Sequence, residues 1–309
     1  MKPLQLAVYL PLVCTSVGNA HGATANIPPC GIVLLNNSNF LVSSFSYLRY
    51  NDSQSILAAA NWNASVTSVI AGCGGSLING SFVTPNATKL KECEEYIALF
   101  GAHGVCWESR IYVDNPSQMC MAAENSTAMA TAVASHAQAL GLSGVSFDWE
   151  RRGENKHSHK CYLNVTETLK RVLNPIGVRV TSFSNNFYHD IKSFKDLSWN
   201  NNKVLCGETY VGKTAKWHEQ WHRLASSPAS ARLSPTLSSN TKHGSENCNA
   251  RIIENRTRLI AQNFTELSIF SLNGKGLGHE KGPCFSHYVP YLKAFLNGTI
   301  NQSIMHPSN

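Results

Sequence analysis

Eight short apolar runs rich in β-branched and aromatic residues recur along the chain, and segments of helical composition lie between them. The runs begin at residues 40, 65, 104, 144, 178, 203, 231 and 266, so successive starts lie 25 to 40 residues apart. This spacing suits strand–helix units, which need about 30 residues each. Eight such units predict an α/β fold, a single (β/α)8 TIM barrel, whose usual size is about 250 residues. The alternative is an open doubly wound sheet, which is disfavoured because no Gly-rich phosphate loop follows the first run.

The first twenty residues predict a cleaved secretory signal. Residues 1–20 have Lys2 near the start, an apolar middle and a small-residue ending. A membrane anchor is the alternative, but the apolar stretch contains Pro11 and is shorter than the roughly 20 residues of a span. We therefore divide the chain into a signal peptide, residues 1–20, and one barrel domain, residues 21–309.

Sequons and cysteines agree with passage through the secretory pathway. Eleven asparagines begin Asn-x-Ser or Asn-x-Thr: Asn36, Asn51, Asn63, Asn79, Asn86, Asn125, Asn164, Asn255, Asn263, Asn297 and Asn301. Nine cysteines remain after residue 20, and their pairing cannot be deduced from sequence. Such cysteine use favours an oxidising compartment, so we expect a secreted or lysosomal/vacuolar glycoprotein.

The net charge of +7 is dispersed along the chain. Nucleic-acid binding usually shows a clustered basic stripe, and none is present. Beyond the first twenty residues no run is long and apolar enough to cross a bilayer. We therefore expect neither a nucleic-acid partner nor a membrane span.

Two acids close the fourth apolar run, "LGLSGVSFDWERRG". On a strand, Ser146, Asp148 and Glu150 point one way and Phe147 and Trp149 the other. In a barrel the first set faces the lumen near the carboxyl end of the strand, where catalytic groups lie. Paired acids in a desolvated site raise one pKa, and a carboxylic acid kept protonated can serve as a proton donor. The alternative is that both acids are bonded to the arginines at positions 151 and 152.

The residues of this strand carry a family resemblance. "SGVSFDWE" resembles the fourth-strand signature of glycoside hydrolase family 18, the chitinase family, whose pattern is Asp-x-x-Asp-x-Asp-x-Glu. Asp148 and Glu150 match the last two acids, whereas Ser143 and Ser146 replace the first two. In "CGETYVG", Tyr210 matches an aromatic residue of the family's sixth strand, and the valine that follows departs from it. The compact third and fourth strands look most like the di-N-acetylchitobiase branch.

The resemblance implies a substrate-assisted mechanism. Glu150 would protonate the glycosidic oxygen, Asp148 would orient the 2-acetamido group of the substrate as it attacks the anomeric carbon, and Tyr210 would hydrogen-bond that group. No separate protein nucleophile is needed. The implied substrates are N-acetylglucosamine-containing glycans, and no cofactor is expected.

Further polar and aromatic residues are candidates for substrate binding. They are Ser146, Glu108, Glu208, Asn185 and Trp217. Glu108 and Glu208 occupy those alternate positions of their strands that would face the lumen, and Asn185 follows the fifth strand. For Glu108 the alternative is an ion pair with Arg110 on the same strand.

A competing motif is "HEQWH", which matches the zinc-binding pattern His-Glu-x-x-His through His218 and His222. The third ligand would be a later residue such as Glu246. The stretch follows the sixth strand, so a barrel would put both histidines on its outer helical ring. The sequence therefore predicts a glycosidase, with a catalytically silent lectin or inhibitor on the same barrel as the alternative and a zinc metallopeptidase as the third.

Overall fold

The computed structural model describes residues 41–45, 65–113, 115–149, 156–184, 203–206, 209, 213–227, 230, 233–239, 245–270 and 284–300. Its strands are β1 Leu41–Phe45, β2 Ser68–Ala71, β3 Ser76–Ile78, β4 Ser81–Val83, β5 Cys106–Val113, β6 Gly144–Trp149, β7 Arg179–Ser184, β8 Lys203–Cys206, β9 Leu233–Ser238 and β10 Glu266–Phe270. Its α-helices are α1 Ala87–Ala102, α2 Pro116–Glu124, α3 Ser126–Leu140, α4 Lys156–Leu173, α5 Thr214–Ala225, α6 Ala250–Asn263 and α7 Phe285–Leu296. Short 3-10 turns cover Asn174–Ile176 and Ser245–Cys248.

All eight predicted strands are present, as β1, β2 and β5 to β10. They form one sheet in the order β2-β1-β10-β9-β8-β7-β6-β5, and each neighbouring pair is parallel. β2 also pairs in parallel with β5, through Ser68 opposite Cys106 and Ala71 opposite Ser109. Each of the eight parallel strands therefore has two parallel neighbours.

The two faces of these strands differ in composition. One face packs against the helices through a continuous apolar core that includes Val69, Trp107, Phe147, Leu237 and Leu267. The opposite face, which we call the inner face, carries the alternate residues. Among its buried members are Ser43, Ser68, Glu108, Ser146, Asp148, Arg179, Thr181, Ser234, Thr236, Glu266 and Ser268. An inner face of this polarity is unusual for a buried sheet, since buried polar groups need partners.

Local signals explain where the helices begin and end. Asn86 and Asn249 cap α1 and α6 by accepting a hydrogen bond from the backbone N–H three residues on. Asn115 caps α2, and Pro116 occupies its first position. α3 ends at Gly141, whose φ of 65° is left-handed.

The antiparallel hairpin of β3 and β4 was not predicted. It follows β2 through the sequence "GCGGS" and pairs with β5 at one position, Ser76 opposite Tyr112. Gly74 is required there because a Cβ would lie 1.9 Å from the carbonyl oxygen of Arg110. The turn therefore packs directly on the backbone of the strand that carries Arg110.

Three disulfides join described cysteines: Cys73–Cys93, Cys120–Cys161 and Cys248–Cys284. The first links the turn after β2 to α1, the second links α2 to α4, and the third links the 3-10 turn to the start of α7. In the described part of the chain, no helix combines the length and the apolarity that crossing a membrane requires.

Candidate active site

Asp148 and Arg110 form an ion pair on the inner face. Asp148 lies near the carboxyl end of β6 and is 3% exposed. Arg110 on β5 donates from Nε to Oδ2 of Asp148 at 2.5 Å, and its Nη2 contacts the same oxygen. The guanidinium also lies 5.1 Å from the ring centroid of Tyr112. A carboxylate that accepts from a guanidinium is favoured in its ionised form.

Strand register brings this pair together. Arg110 stands opposite Ser146, and Tyr112 stands opposite Asp148. Arg110 therefore reaches Asp148 diagonally, and the short side chain of Ser146 leaves room for it. Ser146 is fully buried, and its Oγ has no hydrogen-bond partner within the described residues.

Packing behind β6 fixes the direction of Asp148. Phe147 and Trp149 point away from the inner face into the apolar core, as predicted from parity. Both rings contact Tyr162 of α4, with centroid distances of 6.3 Å and 4.7 Å. Trp149 also meets His159 edge-on at 5.6 Å. Because this side of the strand is filled, Asp148 is held on the inner face.

A second charged cluster lies deeper on the inner face, at the amino-terminal ends of β7 and β10. Arg179 donates from Nη2 to Glu266 at 2.5 Å, and its Nε lies 3.5 Å from a carboxylate oxygen of Glu108. Ser68 donates to Glu108 at 2.6 Å, and the hydroxyls of Ser43 and Ser68 are 2.8 Å apart. We call Glu108, Arg179 and Glu266 the buried triad.

The buried triad has perturbed protonation equilibria. Burial raises the pKa of Glu108 above its usual range, although Arg179 and Ser68 act in the opposite direction. Burial lowers the pKa of Arg179, but the carboxylates of Glu108 and Glu266 outweigh it and leave that pKa raised. Gly144 makes room for the triad, because a Cβ there would lie 2.8 Å from Glu108 Oε2.

These contacts decide one of the alternatives raised by the sequence. Glu108 does not pair with Arg110: Glu108 contacts Arg179, and Arg110 contacts Asp148. Sequence reasoning missed Arg179 and Glu266 as charged inner-face residues. Their signal was a charged residue at the start of an otherwise apolar or β-branched strand.

Several predicted site residues lie outside the described residues. They are Glu150, Tyr210, Glu208 and Asn185. Arg151 and Arg152, the alternative partners of the acid pair, also lie outside them. The roles assigned to all six stay predictions.

Trp217 belongs to the helix-layer core. It is fully buried, stacks on Trp221 at 6.2 Å, and has the guanidinium of Arg256 over its ring at 5.2 Å. Its ring therefore has no exposed surface to offer a sugar. We assign Trp217 to packing and leave it out of the site.

The His-Glu-x-x-His motif lies on α5, as predicted for the helix after the sixth parallel strand. His218 is half-buried and His222 exposed, and Glu219 between them pairs with Arg223 at 2.5 Å. Glu246, a suggested third ligand, instead accepts from the backbone N–H of Thr214 at 2.8 Å at the start of α5. Across the described ranges, the one cluster of three potential metal-ligand atoms is Cys120, His157 and Cys161, and two of those form a disulfide.

Comparisons with known proteins identify the fold. No family model matches the sequence, and no curated protein matches it either. A chitinase from Bacteroides thetaiotaomicron superposes with a TM-score of 0.63 and 10% identity, covering 88% of this chain and 100% of the chitinase. A family 18 chitinase from Cycas revoluta in complex with (GlcNAc)3 gives 0.60 and 9%, covering 82% and 99%. The spore cortex-lytic enzyme SleL from Bacillus cereus gives 0.57 and 12%, covering 82% and 73%.

The chain thus has a chitinase-like α/β fold, and its structural neighbours include chitinases of glycoside hydrolase family 18. The resemblance read from the fourth-strand sequence is confirmed at the level of the fold. The di-N-acetylchitobiase branch stays a prediction.

Proposed function

We propose that this protein is a glycoside hydrolase that cleaves β-linked N-acetylglucosamine glycans, such as chitooligosaccharides or N-glycan cores. The fold is that of chitinases, and several neighbours were crystallised with N-acetylglucosamine oligomers or allosamidin. We further propose that the eight parallel strands close into a (β/α)8 barrel in which the inner face lines the lumen. The pairing of β2 with both β1 and β5 supports this proposal.

The observation that carries the proposal is Asp148. It is a buried carboxylate on the inner face, near the carboxyl end of its strand, and it is held by an arginine. In the sequence it precedes Glu150 by two residues. Catalytic groups of barrel enzymes lie at that end. An ionised acid held there can stabilise positive charge that develops on a substrate.

The proposed reaction is substrate-assisted and retaining. The substrate's acetamido oxygen attacks the anomeric carbon while Glu150 donates a proton to the leaving oxygen, so an oxazolinium ion forms and the glycosidic bond breaks. Asp148 accepts from the acetamido N–H and stabilises that cation, and Tyr210 hydrogen-bonds the acetamido group. Water then opens the ring and returns the proton to Glu150. No metal or cofactor is needed in this scheme.

Hydrolysis of a chromogenic N,N'-diacetylchitobioside between about pH 4 and 7 tests the proposal. We expect turnover by the wild-type protein, loss of at least 100-fold in Glu150→Gln since general acid catalysis contributes about that much, and indifference to a chelator. Turnover that survives in Glu150→Gln would contradict the assigned acid. Turnover that requires zinc would favour the metallopeptidase-type motif on α5.

A catalytically silent glycan-binding protein is the second candidate. It is favoured by Ser143 and Ser146, which stand where the family pattern has acids. Under this alternative no hydrolysis occurs at any pH, and Glu150→Gln binds chitooligosaccharide as well as the wild type does.

We also propose that residues 1–20 are a signal peptide and that the mature protein is secreted or lysosomal. Seven sequon asparagines lie among the described residues, and all seven are exposed: Asn79, Asn86, Asn125, Asn164, Asn255, Asn263 and Asn297. Exposed acceptors and three disulfides fit this route. Treatment of the secreted protein with an N-glycosidase is expected to lower its apparent mass, and an unchanged mass would contradict the proposal.

A further inference from the structure

Asp148 requires a compensating charge. Its side chain is 4% exposed, and a carboxylate removed from water to that degree takes up a proton unless a cation or several donors offset the lost hydration. Whatever supplies that cation determines whether Asp148 is an anion in the pH range where the enzyme works.

Arg110 supplies the cation. Two of its nitrogens contact the same carboxylate oxygen, Oδ2 of Asp148, and an arginine does not lose its charge in a protein. Its guanidinium is also placed over Tyr112 at 5.1 Å, which restricts its motion. The Arg110 side chain is 20% exposed, so it reaches from the accessible part of the site to the buried acid.

Apart from Arg110, no described charged side chain of the neighbouring strands β5 and β7 pairs with Asp148. On β5 its paired residue is Tyr112, and on β7 its paired residue is Phe183. Arg179 on β7 belongs to the buried triad and pairs there with Glu108 and Glu266. Behind β6, His159 of α4 contacts Trp149 on the far side of the strand.

Ser146 makes the arrangement possible. It stands directly opposite Arg110 and two residues before Asp148 on the same face. Its buried hydroxyl leaves the path between Arg110 and Asp148 open, whereas a carboxylate at this position would compete for the guanidinium.

The geometry points to Arg110 as the positioning residue that keeps Asp148 ionised and fixed in one orientation on the inner face. This inference rests on the proposed function, since it assigns how the site sets the charge of its own acid. Arg110 acts through Asp148 and need not touch the substrate. Asp148 then remains an anion across the acidic range, and the acid limb of activity is set by another group.

The test uses the purified mature protein with an Asp-selective ¹³C label. The chain has five Asp residues, so the Asp148 carboxyl signal can be assigned by its loss in Asp148→Asn. Asp-selective labelling also separates it from Glu150. Wild type, Arg110→Met and Arg110→Lys are titrated, with Arg258→Met as the matched control because Arg258 pairs with Glu254 at 2.6 Å on the outer helix α6.

In the wild type we expect the Asp148 signal to titrate with a midpoint below that of an unpaired Asp, because the adjacent guanidinium favours the carboxylate. In Arg110→Met its midpoint should rise by at least about one pH unit, and kcat/KM should fall further at the acid end of the range, where Asp148 is then protonated, with little change in KM. Arg110→Lys should fall between the two, and Arg258→Met should match the wild type. An Asp148 midpoint that is the same in Arg110→Met and wild type would overturn the inference.

The titration separates this inference from the proposed function. If the wild type hydrolyses no glycan but the Asp148 midpoint rises in Arg110→Met, the proposed hydrolysis fails and the role of Arg110 stands. If Arg110→Met does not fold, Arg110→Lys carries the titration. The double variant Arg110→Met/Asp148→Asn, which lacks both charges, is then expected to fold, and its failure to do so would contradict a role exercised through Asp148.

Discussion

Removing the cation of the buried triad should destabilise the protein strongly. Arg179 is 3% exposed and contacts both Glu266 and Glu108, whose carboxylates are fully buried. Arg179→Met would leave two carboxylates without their cation. Breaking a buried ion pair from one side costs about 3–5 kcal/mol, because the remaining charge is uncompensated. For a chain of this size that corresponds to a fall in Tm of roughly 6–20 °C.

The loss should depend on pH in a defined direction. The pKa of Glu108 is raised in the folded protein by burial, so protonation of Glu108 stabilises the fold below its unfolded pKa of about 4.3, and that stabilisation is lost as pH rises through the folded value. Without Arg179 the pKa of Glu108 rises further. Arg179→Met should therefore be less destabilised at about pH 4.5 than at about pH 7.

Urea unfolding followed by tryptophan fluorescence measures both effects, since the chain contains six Trp. Arg258→Met serves as the control, because an outer-helix pair of this spacing contributes only about 0.3–0.5 kcal/mol. The double variant Arg179→Met/Glu108→Gln should recover part of the loss. A loss below about 1 kcal/mol at pH 7, or an equal loss at both pH values, would refute the account of the triad.

Further predictions concern Gly144, beside the buried triad, and the disulfide between Cys248 and Cys284. Gly144→Ala should destabilise the protein by about 1–3 kcal/mol, because its Cβ would collide with Glu108, while Gly101→Ala, with open space at its Cβ, should be neutral or stabilising in the same urea assay. Replacing Cys248 and Cys284 by Ser should cost about 2–5 kcal/mol, measured as a lower Tm, and an unchanged Tm would contradict a stabilising bridge.

The order of the elements could be predicted because the sequence of each parallel strand forms a pattern that is recognisable locally. The eight runs stand out by composition, and each carries its own alternation, so the outward direction of Phe147 and Trp149 follows from parity. The β3–β4 hairpin was missed because its strands are three residues long, too short for a pattern to appear. The hairpin also depends on left-handed Asn79 and Gly80 between its two strands and on left-handed Gly75 just before β3.

The charge pairing could not be predicted because it depends on register. Arg110 could in principle meet Glu108 on its own strand or an acid on a neighbouring strand, and only the offset between β5 and β6 decides in favour of Asp148. The triad joins β5, β7 and β10, and Arg179 and Glu266 lie 87 residues apart. Parity places such residues on a face, but it does not say which of them meet.

In the proposed reaction the substrate's own acetamido group takes part in cleavage. The most direct measurement is proton NMR of the products released from chitotriose, alongside a parallel assay on a chromogenic cellobioside that lacks acetamido groups. We predict that the β-anomer of the N-acetylglucosamine product appears first and that the cellobioside is not cleaved. Initial formation of the α-anomer, or hydrolysis of both substrates at similar rates, would contradict it.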